Sequence, residues 1–156
     1  MSSAPLVFRV VDPDQADVSA LLDLHVRAAR TAEYGKFAFA LDHSQLKAAG
    51  ITLYGAYDGS KLQVIGALKD LGNDELEVKS MRVSPDAAGR GYGRAMLDHL
   101  VAQARSSGAR LLRLETGTTA QYDPANRLYA TAGFVPTGAF GDYRPSDFNR
   151  FYALEL

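Results

Sequence analysis

Residues 88–97 read AGRGYGRAML, with glycines at 89, 91 and 93 directly in front of an apolar helical pattern. Glycine beside a helix costs stability relative to alanine, so something should offset that cost here. A helix N-terminus exposes unpaired backbone N–H groups and carries partial positive charge. Glycines in the preceding loop let those groups turn toward one point and let a bulky anion approach. The stretch therefore reads as a phosphate cradle, with Arg90 and Arg94 as added charge. A ligand-free strand-to-helix turn is the bland alternative.

The kind of phosphate ligand is narrowed by what is missing. The kinase-type P-loop needs a Gly-Lys-Ser/Thr ending, and none is present. The dinucleotide fingerprint G-x-G-x-x-G, read from Gly91, places Met96 where the third glycine belongs. Glu115 would then have to mimic the ribose-binding acid. That fingerprint normally follows the first strand of a parallel unit.

Outward from the cradle, a β-branched run at 8–11 predicts a strand. Asp12-Pro13-Asp14 starts a helix over 14–30, with Val18, Leu21, Leu22 and His25 on its apolar stripe. A short helix is expected over 41–49, stopped by Gly50. Strands at 51–57, 62–68 and 76–83 are separated by Asp58-Gly59 and by Gly72-Asn73-Asp74, an antiparallel meander. The helix after the glycines runs to about residue 107, with Leu97, Leu100, Val101 and Ala104 on one buried stripe and Gly108 as its cap. His99 is expected on its exposed face. A strand at 111–116, a helix at 124–132 begun by Pro124 and strands at 134–140 and 151–156 complete the chain. The unit from 76 to 116 is strand–helix–strand, which sets its strands parallel. The expected fold is α+β, one domain over residues 1–156, with a mostly antiparallel mixed sheet flanked by helices.

At 156 residues the chain suits one domain with a real core, and its 47% hydrophobic and 22% charged content fits a globular protein. A net charge of −1 gives no drive toward nucleic acid or anionic membrane. The absence of cysteine excludes disulfides, thiolate metal sites and a cysteine nucleophile, and fits a reducing cytoplasm. The start lacks a secretion-signal pattern, and no apolar run reaches membrane-spanning length. His25, His43 and His99 show no metal-ligand spacing, so no metal is expected, and no G-x-S-x-G element supports a serine hydrolase.

VSPDAAGRGYGRAMLDHLVAQARSSGA, then LRLETG, then NRLYATAGF, together resemble the GNAT N-acetyltransferase family, in particular a bacterial branch with KSMRV in the central strand and a late FGDYRP segment. The family's pyrophosphate loop is written [Q/R]-x-x-G-x-[G/A]. With Gly91 and Gly93 at its last two marked positions, the first falls on Ala88, a departure; a register with Arg90, Gly93 and Ala95 also fits the letters. The resemblance implies acetyl-CoA as co-substrate and a small amine or amino acid as acceptor, joined by direct attack in a ternary complex. The alternative is a non-catalytic acyl-CoA-binding or sensor domain of the same fold.

Carried over residue by residue, the resemblance makes Glu77 of EVKSMRV the candidate base, direct or through water. It makes Tyr129 of NRLYATAGF the candidate acid at the coenzyme sulfur. Met81, Arg82 and Val83 fall on the strand that pairs with the pantetheine arm. Gly89, Arg90, Gly91, Tyr92, Gly93 and Arg94 would hold the pyrophosphate. The family's asparagine seven residues before the tyrosine is Tyr122 here, and Asn126 is its partial replacement. Tyr34, Phe37 and His43 lie where the acceptor pocket is walled, and Asp142, Tyr143 and Arg144 lie in the last hairpin loop. Tyr and Asp there suit a cationic amine, and Arg144 suits a carboxylate. The final strands offer a surface for a homodimer, although nothing in the sequence demands one.

Overall fold

The computed structural model describes residues 5–31, 41 and 43–156. The elements run β1 (Val7–Val10), α1 (Ala16–Thr31), α2 (His43–Leu46), β2 (Ile51–Asp58), β3 (Lys61–Gly72), β4 (Glu75–Val83), α3 (Tyr92–Ser106), β5 (Leu111–Gly117), α4 (Asp123–Thr131), β6 (Val135–Thr137) and β7 (Asn149–Glu155). The strands form one sheet in the order β1-β2-β3-β4-β5-β7-β6. Among the described residues only β4 and β5 run parallel; every other neighbour pair is antiparallel. The expected α+β architecture is the one observed.

Two apolar layers cover the sheet. Val64, Leu68, Val78, Leu112 and Leu114 pack with Met96, Leu97 and Leu100 of α3 and Tyr129 of α4. Leu53, Leu62, Ile65 and Ala67 pack on the other face with Val18, Leu21 and Leu22 of α1 and Leu46 of α2. Central strand β3 is buried on both faces, which is why residues 62–68 read as an apolar run without alternation. The fully buried Leu97 and Leu100 each contribute about 1.5–3 kcal/mol through removal from water.

Two expectations change. The strand expected over 134–140 is only Val135–Thr137, because the chain leaves the sheet to lay Phe140 and Tyr143 against Phe151 of β7. His99 is not on an open face. The sheet extends two strands beyond β3, so the flank of α3 is covered, and His99 stacks on Phe8 at 4.2 Å with Tyr54 edge-on at 4.9 Å. Desolvation lowers its pKa.

Strand β4 is irregular in two ways. Ile65 pairs with Arg82 and Ala67 with Lys79, so Ser80 and Met81 stand opposite the single residue Gly66. That is a β-bulge, with Ser80 at φ 56. Secondly, β4 meets β5 at only three positions, Glu75–Leu111, Leu76–Leu112 and Glu77–Arg113, after which the strands part.

At Gly66 the side chains of α3 press directly on the sheet backbone. A Cβ there would lie 2.9 Å from Met96 Cγ and 3.0 Å from Leu100 Cδ1. Gly66→Ala is expected to lower unfolding stability by about 1–3 kcal/mol through overpacking. Denaturant titration reads this directly, and an unchanged midpoint would show that α3 yields at no cost.

Candidate active site in the gap between two strands

The glycine loop closes one end of the gap between β4 and β5. Gly89 and Gly91 adopt φ 78 and 81, which only glycine takes readily, and a Cβ at either would face open space. Gly91 is the N-cap of α3 and offers no side chain to it. The first helical bond in this turn runs from Ala95 N–H to Gly91 O, at 3.1 Å. The amides of Tyr92, Gly93 and Arg94 have no hydrogen-bond partner among the described residues. An anion seated there would complete the cap. Tyr92 is 7% exposed, so its ring belongs to the core and only its backbone reaches the loop. Arg94 pairs with Asp98 at 2.9 Å, whereas Arg90 is exposed.

The wall of the gap is the edge of β4 beyond Glu77, which no strand covers on the β5 side. Met81 and Val83 turn their side chains to the α3 layer and leave backbone at that edge. Ser80 Oγ is buried and has no hydrogen-bond partner among the described residues. Opposite, α4 places Tyr129 against Phe134 and Tyr152, with ring centroids 5.9 and 6.0 Å away. No hydrogen bond to the Tyr129 hydroxyl is formed among the described residues. Burial pushes its pKa up to about 12, with Tyr152 and Glu115 adding to the effect, so it stays protonated at neutral pH.

Asn126 is tied within the protein. Its amide donates to Gly117 O and Tyr122 O, both at 3.0 Å, and its carbonyl accepts from Tyr152 at 3.0 Å. It therefore fixes the turn between β5 and α4. Tyr122, in the family's asparagine position, lies over Gly117, where a Cβ would come within 2.3 Å of its ring.

The α1 face of β4, β5 and β7 carries a charged cluster. Glu77 is 2% exposed; its Oε2 accepts from Tyr143 Oη at 2.5 Å and from Lys79 Nζ at 3.4 Å. Lys79 also donates to Tyr143 Oη at 2.5 Å. On β5, Glu115 accepts from Asn149 Nδ2 at 3.4 Å. Desolvation is the largest cause that lifts the Glu115 pKa from 4.5 to about 7, and the charge of Glu77 adds to it. Asn149 also donates to Arg144 O at 3.0 Å and accepts from Ser146 N at 2.9 Å, so one side chain holds both the last loop and Glu115.

Of the expected acceptor residues, Tyr143 alone is seen in the cluster. Asp142 and Arg144 are exposed on the loop, and His43 of α2 is bonded to Ser19 of α1 at 3.0 Å. Tyr34 and Phe37 lie outside the described residues. His25, expected on the apolar stripe of α1, is half-buried there, and its Nδ1 accepts from Arg82 Nε at 3.2 Å. Sequence reasoning does not single out Lys79 or Asn149, and reaches Glu115 only as a ribose mimic. A signal for Lys79 exists, since two residues after Glu77 on a strand is the same face.

Residues 18–134 match the sequence model of the acetyltransferase (GNAT) family. The chain is 34% identical over 139 residues to the uncharacterized N-acetyltransferase YedL of Escherichia coli (strain K12), covering 89% of this chain and 87% of that protein. It is 32% identical over 135 residues to the uncharacterized N-acetyltransferase YsnE of Bacillus subtilis (strain 168), covering 86% and 89%. The same fold occurs in yncA of Salmonella typhimurium, solved with its cofactor acetyl-CoA, at 18% identity, coverage of 97% and 94%, and a TM-score of 0.70. With a family match across most of its length, a parted pair of parallel strands and a glycine-capped helix at their mouth, this chain belongs to the GNAT acetyltransferase family.

Proposed function

We propose that the protein transfers an acetyl group from acetyl-CoA to the primary amine of a small molecule or amino acid, by direct attack in a ternary complex. The observation that carries this reading is the gap itself. It joins an uncapped helix N-terminus, an unpaired strand edge, a free phenol on one side and two carboxylates on the other. Acetyl-CoA supplies an activated thioester carbonyl and an anionic pyrophosphate.

The amides of Tyr92, Gly93 and Arg94 suit the pyrophosphate, with the exposed Arg90 beside them. The edge at Met81 to Val83 suits the amide groups of the pantetheine arm, which would add to the sheet as a strand does. The amine lone pair forms a bond to the carbonyl carbon, the C–S bond breaks, and the amine loses a proton. We assign that proton to Glu115 rather than Glu77. Glu77 Oε2 is already occupied by Tyr143 and Lys79, whereas Glu115 has a proton affinity matched to neutral pH. Glu77 acts on it through space.

Tyr129 donates a hydrogen bond to the departing sulfur. A phenol raised to about 12 holds its proton more tightly than a thiol of ordinary pKa, about 8.5, so it stabilises the thiolate without surrendering the proton.

Calorimetric titration is expected to show one site for acetyl-CoA and none for NAD; binding of NAD alone would overturn the reading. Tyr129→Phe is expected to lower kcat by about 10²-fold in a thiol-release assay, with little change in the KM for acetyl-CoA. Transfer without any loss in this variant would remove Tyr129 from the chemistry.

Because the base must be deprotonated, kcat/KM is expected to rise with pH through about 7 and fall away below it. Glu115→Gln should erase that limb. The same residue has a stability signature. Its folded pKa lies above the unfolded 4.5, so its contribution is complete below about 4.5 and is lost as pH rises through about 7. Glu115→Gln is therefore expected to melt higher than the wild type at pH 8, with the difference narrowing toward pH 5.

A further inference from the structure

The cations on the α1 face of the sheet are not equally matched. Lys79 pairs with Glu77 at 3.4 Å, and Arg113 pairs with Glu75 at 2.6 Å. Arg82 has no carboxylate within ion-pair distance among the described residues. It is nevertheless half-buried, and burial works against its charge. Its anchor is the hydrogen bond from Nε to His25 Nδ1, at 3.2 Å. Burial is the first cause that lowers the pKa of His25, to about 4, with Arg82 and Lys79 adding to it. The imidazole is therefore neutral near pH 7; it accepts the hydrogen bond but brings no compensating charge. The Tyr122 phenol also lies close enough to favour the charge, but a desolvated guanidinium hydrogen-bonded to a neutral imidazole, with no carboxylate in reach, is unfavourable unless an anion completes it.

Arg82 owes this position to the bulge. Val78, Met81 and Val83 pack toward α3, while Lys79 and Arg82 face α1, because Ser80 is inserted between the two halves of the strand. Without the insertion Arg82 would follow Val78 and point into the apolar layer. The pyrophosphate cradle belongs to α3, on the other side of the sheet. Glu77 and Glu115, the carboxylates on the side of the incoming amine in the acetyl-transfer reading, share Arg82's face.

We infer that Arg82, oriented by His25, binds a carboxylate carried by the acceptor, so that the acceptor class is amino acids and other amines bearing an acid group. The guanidinium fork matches a carboxylate in bidentate geometry, with Nε committed to His25 and the terminal nitrogens free to donate. The acceptor amine then lies toward Glu115. This inference rests on the acetyl-transfer reading.

The test compares free α-amino acids with their carboxamides and with the amines lacking the carboxyl group, using acetyl-CoA and a thiol-release assay. The wild type is expected to favour the free acids by at least about 30-fold in kcat/KM, and Arg82→Gln to collapse that ratio toward one through a higher KM. Arg82→Lys, which keeps charge without the fork, should restore only part of it. A second arm needs no turnover: calorimetry of the CoA-saturated protein with N-acetyl amino acids, expected to bind, and with their carboxamides, expected to bind more weakly. Acetyl-CoA titration of Arg82→Gln separates the two candidate owners of the anion. A loss of acetyl-CoA affinity comparable to the loss of acid preference would give Arg82 to a coenzyme phosphate and overturn the proposal. Acetyl-CoA binding without carboxylate preference in either arm would overturn it and leave the acetyl-transfer reading standing. A protein that binds no acetyl-CoA would overturn both.

Discussion

The parting of β4 from β5 is the constraint on which the rest of the structure depends. Parallel neighbours normally stay paired along their length, because each unpaired N–H and C=O at an interior edge forfeits a hydrogen bond. Here pairing ends at Glu77–Arg113, and the strands diverge in the middle of a seven-stranded sheet. The divergence is stable because each side is held by something else. Strand β4 is pinned to β3 on both sides of the bulge, and β5 is pinned to β7 at seven consecutive positions. The edge that results leaves backbone of β4 without a strand partner on that side among the described residues, and the gap beside it joins the two faces of the sheet.

In the proposed acetyl-transfer reading, that communication permits a division of chemical labour. Tyr129 belongs to the α3–α4 face, yet Glu115 on β5 influences its titration, and Glu115 in turn is influenced by Glu77 and Lys79 on the opposite face. Such coupling requires proximity through the gap, since a closed sheet would place a layer of backbone and apolar side chains between them. A hydrogen-bond donor for a leaving group can therefore stand on one side and a proton acceptor for the incoming group on the other, with the reacting carbon between. The network around Asn149 and Asn126 keeps both sides in place: Asn149 ties Glu115 to the last loop, and Asn126 ties the β5–α4 turn to β7 through Tyr152.

Much of this is legible in the amino-acid sequence. The glycine stretch marks the turn into α3 because positive φ at Gly89 and Gly91 has no other cheap source. The strand–helix–strand unit fixes the single parallel pair by handedness and reach. What is not legible is long-range. The expected exposure of His99 fails because helix periodicity says which residues share a face, not how far the sheet reaches beneath it. The clamp at Asn149 has no local signature, since its partners Glu115 and Arg144 come from different parts of the chain. The hydrogen bonds of Asn126 to backbone and to Tyr152 are illegible for a similar reason, since sequence spacing alone does not reveal them.

The bulge at Ser80 shows how a small irregularity can be written in the sequence and still be passed over. In LEVKSMRV the apolar positions are 76 and 78, then 81 and 83, so the alternation changes phase between 78 and 81. A strand of period two cannot present both pairs to one face unless a residue is inserted. The structure inserts Ser80 in the left-handed region and leaves its hydroxyl buried without a hydrogen-bond partner among the described residues, two local costs. What the insertion achieves lies elsewhere. It keeps Met81 and Val83 in the apolar layer while turning Arg82 to the same side as Lys79 and the carboxylates. Strain at one residue thus sets the phase of the strand, and the phase decides which charges the gap presents to whatever enters it.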